Sequence, residues 1–436
     1  MTGLTQKIAE RIHAMQFAAL PAEAVQTAKR GIIDTVGVLF AGREQPVVQI
    51  VLKQLAPGIE ANVLFTDRRA GSADAALVNG TAAHALDYDD VALDGHPSVV
   101  LTPTVLAEGE RLGSSGKDLI AAYVAGYETW AELVLRETDK HHGKGWHPTA
   151  VFGAVGAAAA AAHLAKLDAH KTAHALAIAA SMASGLVANF GSMTKPFQVG
   201  RAAQNGVLAA RLAAGGMTGS PDALEHRSGF LSALSPHGKV RLDGDLGEWQ
   251  ILRHGLNVKR YPVCYALHRS IDATLEKKPA AEDVAAVEIR IGKLQAAMLR
   301  HSSPQTGLDA KFSAQFAMAC ALLKGRVGLA ELTDDFVRSA PVQALMRKVS
   351  VATTDEADRD EPLFAPADQV TFRLKDGTTL QTREVSHAKG HARNPVALDE
   401  LRAKFDDCTA GRQAALYERL ARLETEIGVR ALFPKP

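Results

Sequence analysis

Three basic side chains stand directly before proline, in His96-Pro97-Ser98, His147-Pro148-Thr149 and Lys195-Pro196. Proline keeps the preceding residue extended and suits the first turn of a helix, so each basic group is expected at a fixed helix entrance. A helix N-terminus presents free N–H groups and partial positive charge, and a cation beside it makes a strong anion site. Polycarboxylates suit such a site. Composition alone gives about 2.7 basic–proline pairs, and five occur, so their number marks nothing. Placement does: the other two, Lys278-Pro279 and Lys435-Pro436, fall in a polar stretch and at the chain end. The plain alternative for the three is a set of ordinary helix caps and core histidines.

The segment HALDYDDVALDGHP sets Asp87, Asp89, Asp90 and Asp94 close to His96. Such a density of carboxylates could bind a hard metal, orient an imidazole, or form a solvated acidic loop. A calcium loop counted from Asp87 needs Gly where Ala92 stands and Glu where Ser98 stands, and there is no HExxH or paired-cysteine pattern. No metal and no cofactor are therefore expected, and a carboxylate that fixes a histidine tautomer is the preferred reading. In KRYPVCYALHR, Lys259 and Arg260 are adjacent, so in extended chain their side chains diverge and one suffices for a site. Lys259 is the choice, as a carboxylate clamp or as a base of lowered pKa, against a plain surface lysine. Cys264 lacks a recognisable partner base and reads as a packed thiol.

The elements that must position these groups fall into two textures. Apolar residues recur at three- and four-residue spacing in LPAEAVQTAKRGIIDTVGVLFAG, with Pro21 in an early turn and Gly42 as a stop, and the first roughly 235 residues read as helices. DLIAAYVAGYETWAELVLRE, TAVFGAVGAAAAAAHLAKLD and GRAAQNGVLAARLAAGG are so rich in Ala and Gly that central, buried helices with close backbones are expected. After about residue 258 the β-branched, alternating VAAVEIRIG and QVTFRLKDGTTLQTREV read as strands, with Asp376-Gly377 as a hairpin turn and KFSAQFAMACALLKG as a helix between them. Beyond Asn394-Pro395 charged helices return. The expected fold is mostly α with an α+β insert: a helical domain at 1–257, an α/β domain at 258–395, and C-terminal helices at 396–436 that rejoin the first domain.

Of 436 residues 47% are hydrophobic, enough for a large core, and 49 Lys and Arg balance 48 Asp and Glu. No global field draws the chain to nucleic acid or anionic lipid, and neither partner is expected. The charged, amphipathic start and the lack of an apolar run of about 18 residues argue for a cytoplasmic protein without a membrane span. Cys264, Cys320 and Cys408 fit neither a disulfide framework nor a zinc pattern. No GxGxxG follows a strand, and no P-loop or GxSxG elbow occurs, which speaks against nucleotide, phosphoryl and serine-hydrolase chemistry.

Taken together, GIIDTVGVLFAG, NGTAAHALDYDDVALDGHPS, GWHPTAVFGAVGAAAAAA, NFGSMTKPFQVGRAAQNG, KRYPVCYALHRSIDA, AKFSAQFAMACALL and KGHARNP resemble the MmgE/PrpD family nearly end to end. The resemblance implies a large helical domain, a smaller α/β lid, a homodimer through the helical domain and an active site between domains. It places Asp87, His96, His147, Lys195 and Lys259 on catalytic or substrate-binding positions, with Gln198, Arg260 and Cys264 as further substrate contacts. Family members of the decarboxylase type have a tyrosine where Phe316 aligns and a histidine at Cys264, and others have a histidine at Gln198. The implied activity is a cofactor-independent, dehydratase-like lyase that removes a proton beside a carboxylate of a small di- or tricarboxylate. His96 and His147 would be acid and base in either order, Lys195 and Lys259 would hold developing negative charge, and Asp87 would orient an imidazole. Two alternatives stand beside it: an epimerase of an imino- or amino-dicarboxylate, and a non-catalytic carboxylate-binding protein.

Overall fold

The computed structural model describes residues 3–244, 247 and 249–433. The chain forms two compact units, one taking in residues up to Asn257 and again from Asp399, the other Val258–Leu398. The first contains α1 (Leu4–Ala14), α2 (Ala22–Gly42), α3 (Pro46–Leu52), α4 (Ser72–His84), α5 (Ser98–Leu112), α6 (Gly116–Val134), α7 (Pro148–Leu164), α8 (Ala169–Met182) and α9 (Thr194–Ala214), followed by the short α10 (Phe230–Leu234) and α11 (Gln250–His254). Their ends follow local chemistry. Pro21 precedes α2 and Gly42 is its last residue. Ser115 and Asp118 exchange hydrogen bonds in a capping box at the start of α6, which satisfies two otherwise free donors.

The Ala- and Gly-rich helices lie at the centre of this unit. Every residue of α7 from Pro148 to Ala162 is buried. A Cβ on Gly206 of α9 would lie 2.3 Å from Ala157 Cβ, and one on Gly200 2.2 Å from the Leu77 carbonyl oxygen of α4, so α9 fits between its neighbours only with glycine at these points. One feature departs from the helical expectation for this region: Ala61–Asn62 (β1) pairs antiparallel with Arg69–Ala70 (β2). The pair is too short to show a strand period in sequence, and Asn79 of α4 ties it down by accepting from Leu64 N–H and donating to Asn62 O.

The second unit is built on a four-stranded sheet of order β4-β3-β5-β6, comprising β3 (Val284–Gly292), β4 (Val349–Thr354), β5 (Gln369–Leu374) and β6 (Thr379–Gln381). β3 runs parallel to β4 and antiparallel to β5, which turns into β6 through Asp376-Gly377 with Gly377 at φ 88°. Around the sheet are α12 (His268–Lys277), α13 (Lys293–Ala297), α14 (Gly307–Ala310), α15 (Ala314–Lys324), α16 (Asp334–Arg338) and α17 (Ala340–Met346). Val287, Ile289, Val370 and Phe372 from the sheet pack with Phe316, Ala317 and Cys320 of α15 in one core. Phe316 is fully buried there with Phe336 edge-on at 6.2 Å, so it is a packing residue.

The last helices, α18 (Leu398–Thr409) and α19 (Ala414–Ala421), follow. Lys404 of α18 reaches Asp34 of α2 at 2.5 Å, donates to Tyr88 O at 2.8 Å and lies over the Tyr88 ring. Both charges are buried, a placement that only such close pairing makes tolerable. Among the described residues no helix is long and apolar enough to cross a membrane.

Candidate active site

The segment between α4 and α5 carries the acidic cluster, and its four carboxylates turn to different partners. Asp90 accepts from Ser98 Oγ and Ser98 N–H, which fixes the start of α5. Asp94 pairs with Lys140 at 2.5 Å. Asp89, fully buried, accepts from His84 Nδ1 at 3.0 Å and lies 2.7 Å from His96 Nδ1, close enough for an ion pair though not aligned as a hydrogen bond. Asp87 sits at φ 52°, a left-handed backbone conformation that Asp tolerates better than most residues, and accepts from Lys195 Nζ at 2.8 Å.

His96 is delivered by a tight reversal. Ala92 and Gly95 exchange both backbone hydrogen bonds at 2.9 Å, and Leu93 and Asp94 between them both have positive φ, as a type I′ turn requires. Leu93 pays no glycine-like freedom into that turn; its carbonyl is held instead by Trp130 Nε1 at 3.1 Å. Gly95 must be bare, since a Cβ would stand 2.8 Å from the Trp130 ring. His96 N–H then donates to Thr149 Oγ1 of α7.

His147 is the N-cap residue of α7, with Pro148 in the first turn, whereas Lys195 lies inside the first turn of α9 rather than before it. His147 Nδ1 lies 2.7 Å from Gln198 Oε1, and Gln198 Nε2 donates to Leu186 O at 3.2 Å. Phe190 joins the two helix starts: its ring packs edge-on to His147 at 4.8 Å, and Lys195 Nζ lies over it at 5.2 Å. His84, at the end of α4, completes the group, 4.6 Å from the His96 ring and 6.3 Å from the His147 ring between centroids. Its Nε2 is buried without a hydrogen bond, 4.0 Å from Asp87 Oδ1.

Burial governs the electrostatics. It holds the His84 imidazole down at about 4, with Asp89 opposing and Lys195 reinforcing the shift. Burial, with His84 and Lys195 nearby, also pushes His147 far below the ordinary imidazole range despite the Gln198 bond. Burial alone would raise Asp89, but His84 and His96 overcome it and hold that carboxyl below the usual range. Asp90 is raised, by burial and by the neighbouring Asp34 and Asp89. The donor atoms of His84, Asp87, Asp89 and His96 lie within 4.8 Å of one another and could hold a cation. Asp89, however, already faces both Nδ1 atoms and Asp87 takes the Lys195 ammonium, so an amine supplies positive charge at this centre.

Of the residues singled out in sequence, Asp87, His96 and Lys195 come together around one carboxylate oxygen, and His147 meets Gln198. Gln198 is 7% exposed, and its amide holds His147 and Leu186 O rather than facing open space. Lys259, Arg260 and Cys264 belong to the second unit. Lys259 is 3% exposed, while the Arg260 side chain is 40% exposed and lies 3.8 Å from Asp272, the divergence expected of adjacent residues in extended chain. The backbone carrying Lys259 is set by the KGHARNP turn, whose Gly390 carbonyl accepts from Val258 N–H at 2.8 Å. His84 was not singled out in sequence. The available signal was a histidine at a helix end followed five residues later by an aspartate.

The fold brings one ammonium and three imidazoles together from the starts and ends of four helices. The MmgE/PrpD N-terminal domain matches residues 6–243 and the MmgE/PrpD C-terminal domain residues 261–426, so the chain belongs to the MmgE/PrpD family. Cis-aconitate decarboxylase of Mus musculus is 30% identical over 93% of this chain and 86% of its own length. Cis-aconitate decarboxylase of Aspergillus terreus is 25% identical over 93% and 89%. An alkylcitrate dehydratase from a fungal species is 27% identical over 49% and 45%. The chain is accordingly an enzyme of the lyase type.

Proposed function

We propose that this enzyme acts on a small di- or tricarboxylate by removing a proton from the carbon beside a carboxylate, with loss of a β-hydroxyl as the outcome. The observation that carries this reading is the convergence of the Lys195 ammonium with His96 and His147. A substrate carboxylate fits the ammonium that Asp87 now occupies. Removal of the neighbouring proton by an imidazole creates enolate-like charge, which a fixed ammonium stabilises most where the charge develops. The second imidazole then gives a proton to the departing hydroxyl, and the products are an alkene and water. Lys259, buried in the second unit, is proposed as a further carboxylate-holding cation, with Arg260 and Cys264 as substrate contacts.

A second reading, loss of carbon dioxide, is favoured by the names of the relatives that match along most of the chain. Against it, Phe316 has no proton to donate and is enclosed in the core of its unit. The test is to follow 2-methylcitrate, citrate and cis-aconitate separately by NMR. We expect an alkene from a hydroxy acid, and a loss of turnover of roughly a hundredfold or more in Lys195→Ala with folding retained. Rapid release of carbon dioxide from cis-aconitate would replace the first reading by the second. Tight binding of polycarboxylates with no turnover of any would leave a carboxylate-binding protein.

A further inference from the structure

We infer that Gln198 is a positioning residue that locks His147 as the Nδ1–H tautomer, which leaves Nε2 as the nitrogen with which His147 can act. The inference rests on the acid–base reading above and names which nitrogen of His147 that reading would use.

What each atom can donate or accept fixes the tautomer. The Leu186 carbonyl can only accept, so the Gln198 side chain must turn its NH2 group toward it, as the 3.2 Å contact shows. The reverse orientation would set two acceptor oxygens against each other. With the amide nitrogen committed, Gln198 Oε1 is the atom facing His147 Nδ1 at 2.7 Å, and an amide oxygen can only accept. Nδ1 therefore carries the hydrogen, and in a neutral ring the lone pair lies on Nε2. Nε2 makes no hydrogen bond among the described residues.

The frame that enforces this is rigid on each side. His147 N–H donates to Gly185 O at 3.0 Å, so the same short segment, residues 185 and 186, holds the backbone of the histidine and the amide of the glutamine. Gly185 has φ 151°, and a Cβ there would stand 2.6 Å from Ala150 Cβ, which keeps this segment close against α7. Gln198 follows Lys195 by three residues on α9 and so shares its face of the helix, which couples the tautomer lock to the cation.

The two imidazoles named for acid and base are thus supported differently. His147 is backed by a neutral amide, whose oxygen accepts from Nδ1, and by the edge-on Phe190 ring. His96 is backed by the Asp89 carboxylate, which lies 2.7 Å from its Nδ1.

The experiment uses the full chain with 15N-labelled histidine, the His147 signals being assigned by their loss in His147→Asn. In the parent protein the nitrogen shifts of His147 should report hydrogen on Nδ1 and a bare Nε2, unchanged between pH 6 and 8.5. Gln198→Leu removes the acceptor and should shift the ring toward the Nε2–H form. Its kcat/KM on the authentic substrate should fall about tenfold or more, with KM little changed. Gln198→Glu sets a carboxylate against Nδ1, so His147 should titrate within the range and the acid limb of the pH–rate profile should move up with it. Either variant keeps the test open should the other fail to fold. Hydrogen on Nε2 in the parent, or an unchanged tautomer in folded Gln198→Leu, would overturn the assignment. The nitrogen shifts need no turnover, so they decide the role of Gln198 even where the substrate panel defeats the acid–base reading itself.

Discussion

Asp89 is a carboxylate out of contact with water that faces two ring nitrogens, His84 Nδ1 at 3.0 Å and His96 Nδ1 at 2.7 Å. An isolated carboxylate at this depth would be protonated; the two imidazoles keep it charged. Stability must then depend on pH in a defined direction. In the unfolded chain a histidine takes up its proton near 6.5, whereas folded His84 stays neutral until about 4 and His147 is held lower still by burial. Between those values these two rings bind more protons in the unfolded state, so the stability they contribute is lost as the pH falls and is present in full above about 6.5. Urea midpoints should therefore drop between pH 7 and pH 4.5, and less steeply in His147→Asn. A fall equally steep in His147→Asn would mean that this ring is not buried neutral.

The sequence marks His96, His147 and Lys195 through proline, because proline acts on the backbone of its immediate neighbour and that effect is local. His84 has no such mark. Its role depends on how the chain turns after α4, with Asp87 in a left-handed conformation and Asp89 folded back on the helix end, and spacing alone does not reveal that geometry. Gln198 was singled out in sequence as a substrate contact and not as the amide that holds His147, since this needs the separate segment at Leu186.

At the scale of elements, the site depends on α4, α5, α7 and α9 meeting at fixed depth. Small residues set that depth, and they were legible because an all-round Ala and Gly surface has few other uses. Gly200 lies between Lys195 and the body of α9 and faces Leu77 and Thr81 of α4, where an added Cβ would stand 2.2 Å from a carbonyl oxygen and 2.3 Å from a hydroxyl. Gly200→Ala should destabilise the protein by about 1–3 kcal/mol, the usual cost of overpacking. Activity should fall as well, since α4 and α9 would part at the ends that carry His84 and Lys195. Urea unfolding beside a turnover assay checks this, and an unchanged midpoint would show that the helices can move apart freely. The strands were legible unevenly for a related reason. β3 alternates over nine residues and is plain, whereas β4 is short and polar on one side, and β1 and β2 are two residues each.

At the scale of the molecule, each unit brings distant sequence to bear on a few residues. Lys404, more than three hundred residues from Tyr88, holds the carbonyl of the site loop and neutralises Asp34 beneath it. In the second unit the 389–395 turn sets the backbone before Lys259, with Gly390 at φ 95° and a Cβ there only 2.1 Å from Val258 O. These long-range ties are why the texture break near residue 258 was visible in sequence while the reason for the returning C-terminal helices was not. A buried lysine with a distant aspartate leaves no periodic trace.

The central claim is that a carbon-bound proton beside a carboxylate is removed by an imidazole of this centre. The most direct measurement is deuterium uptake from deuterated water into 2-methylcitrate, citrate, cis-aconitate, tartrate and iminodisuccinate, followed by NMR with the parent protein and with His147→Ala. Carbon acids of this kind exchange slowly unaided, so enzyme-dependent deuterium at the carbon beside a carboxylate reports the step itself, even where net turnover is small. The account predicts uptake into one substrate, reduced by roughly a hundredfold or more in a folded His147→Ala variant. A His147→Ala variant that exchanges and turns over that substrate at close to the parent rate would contradict it.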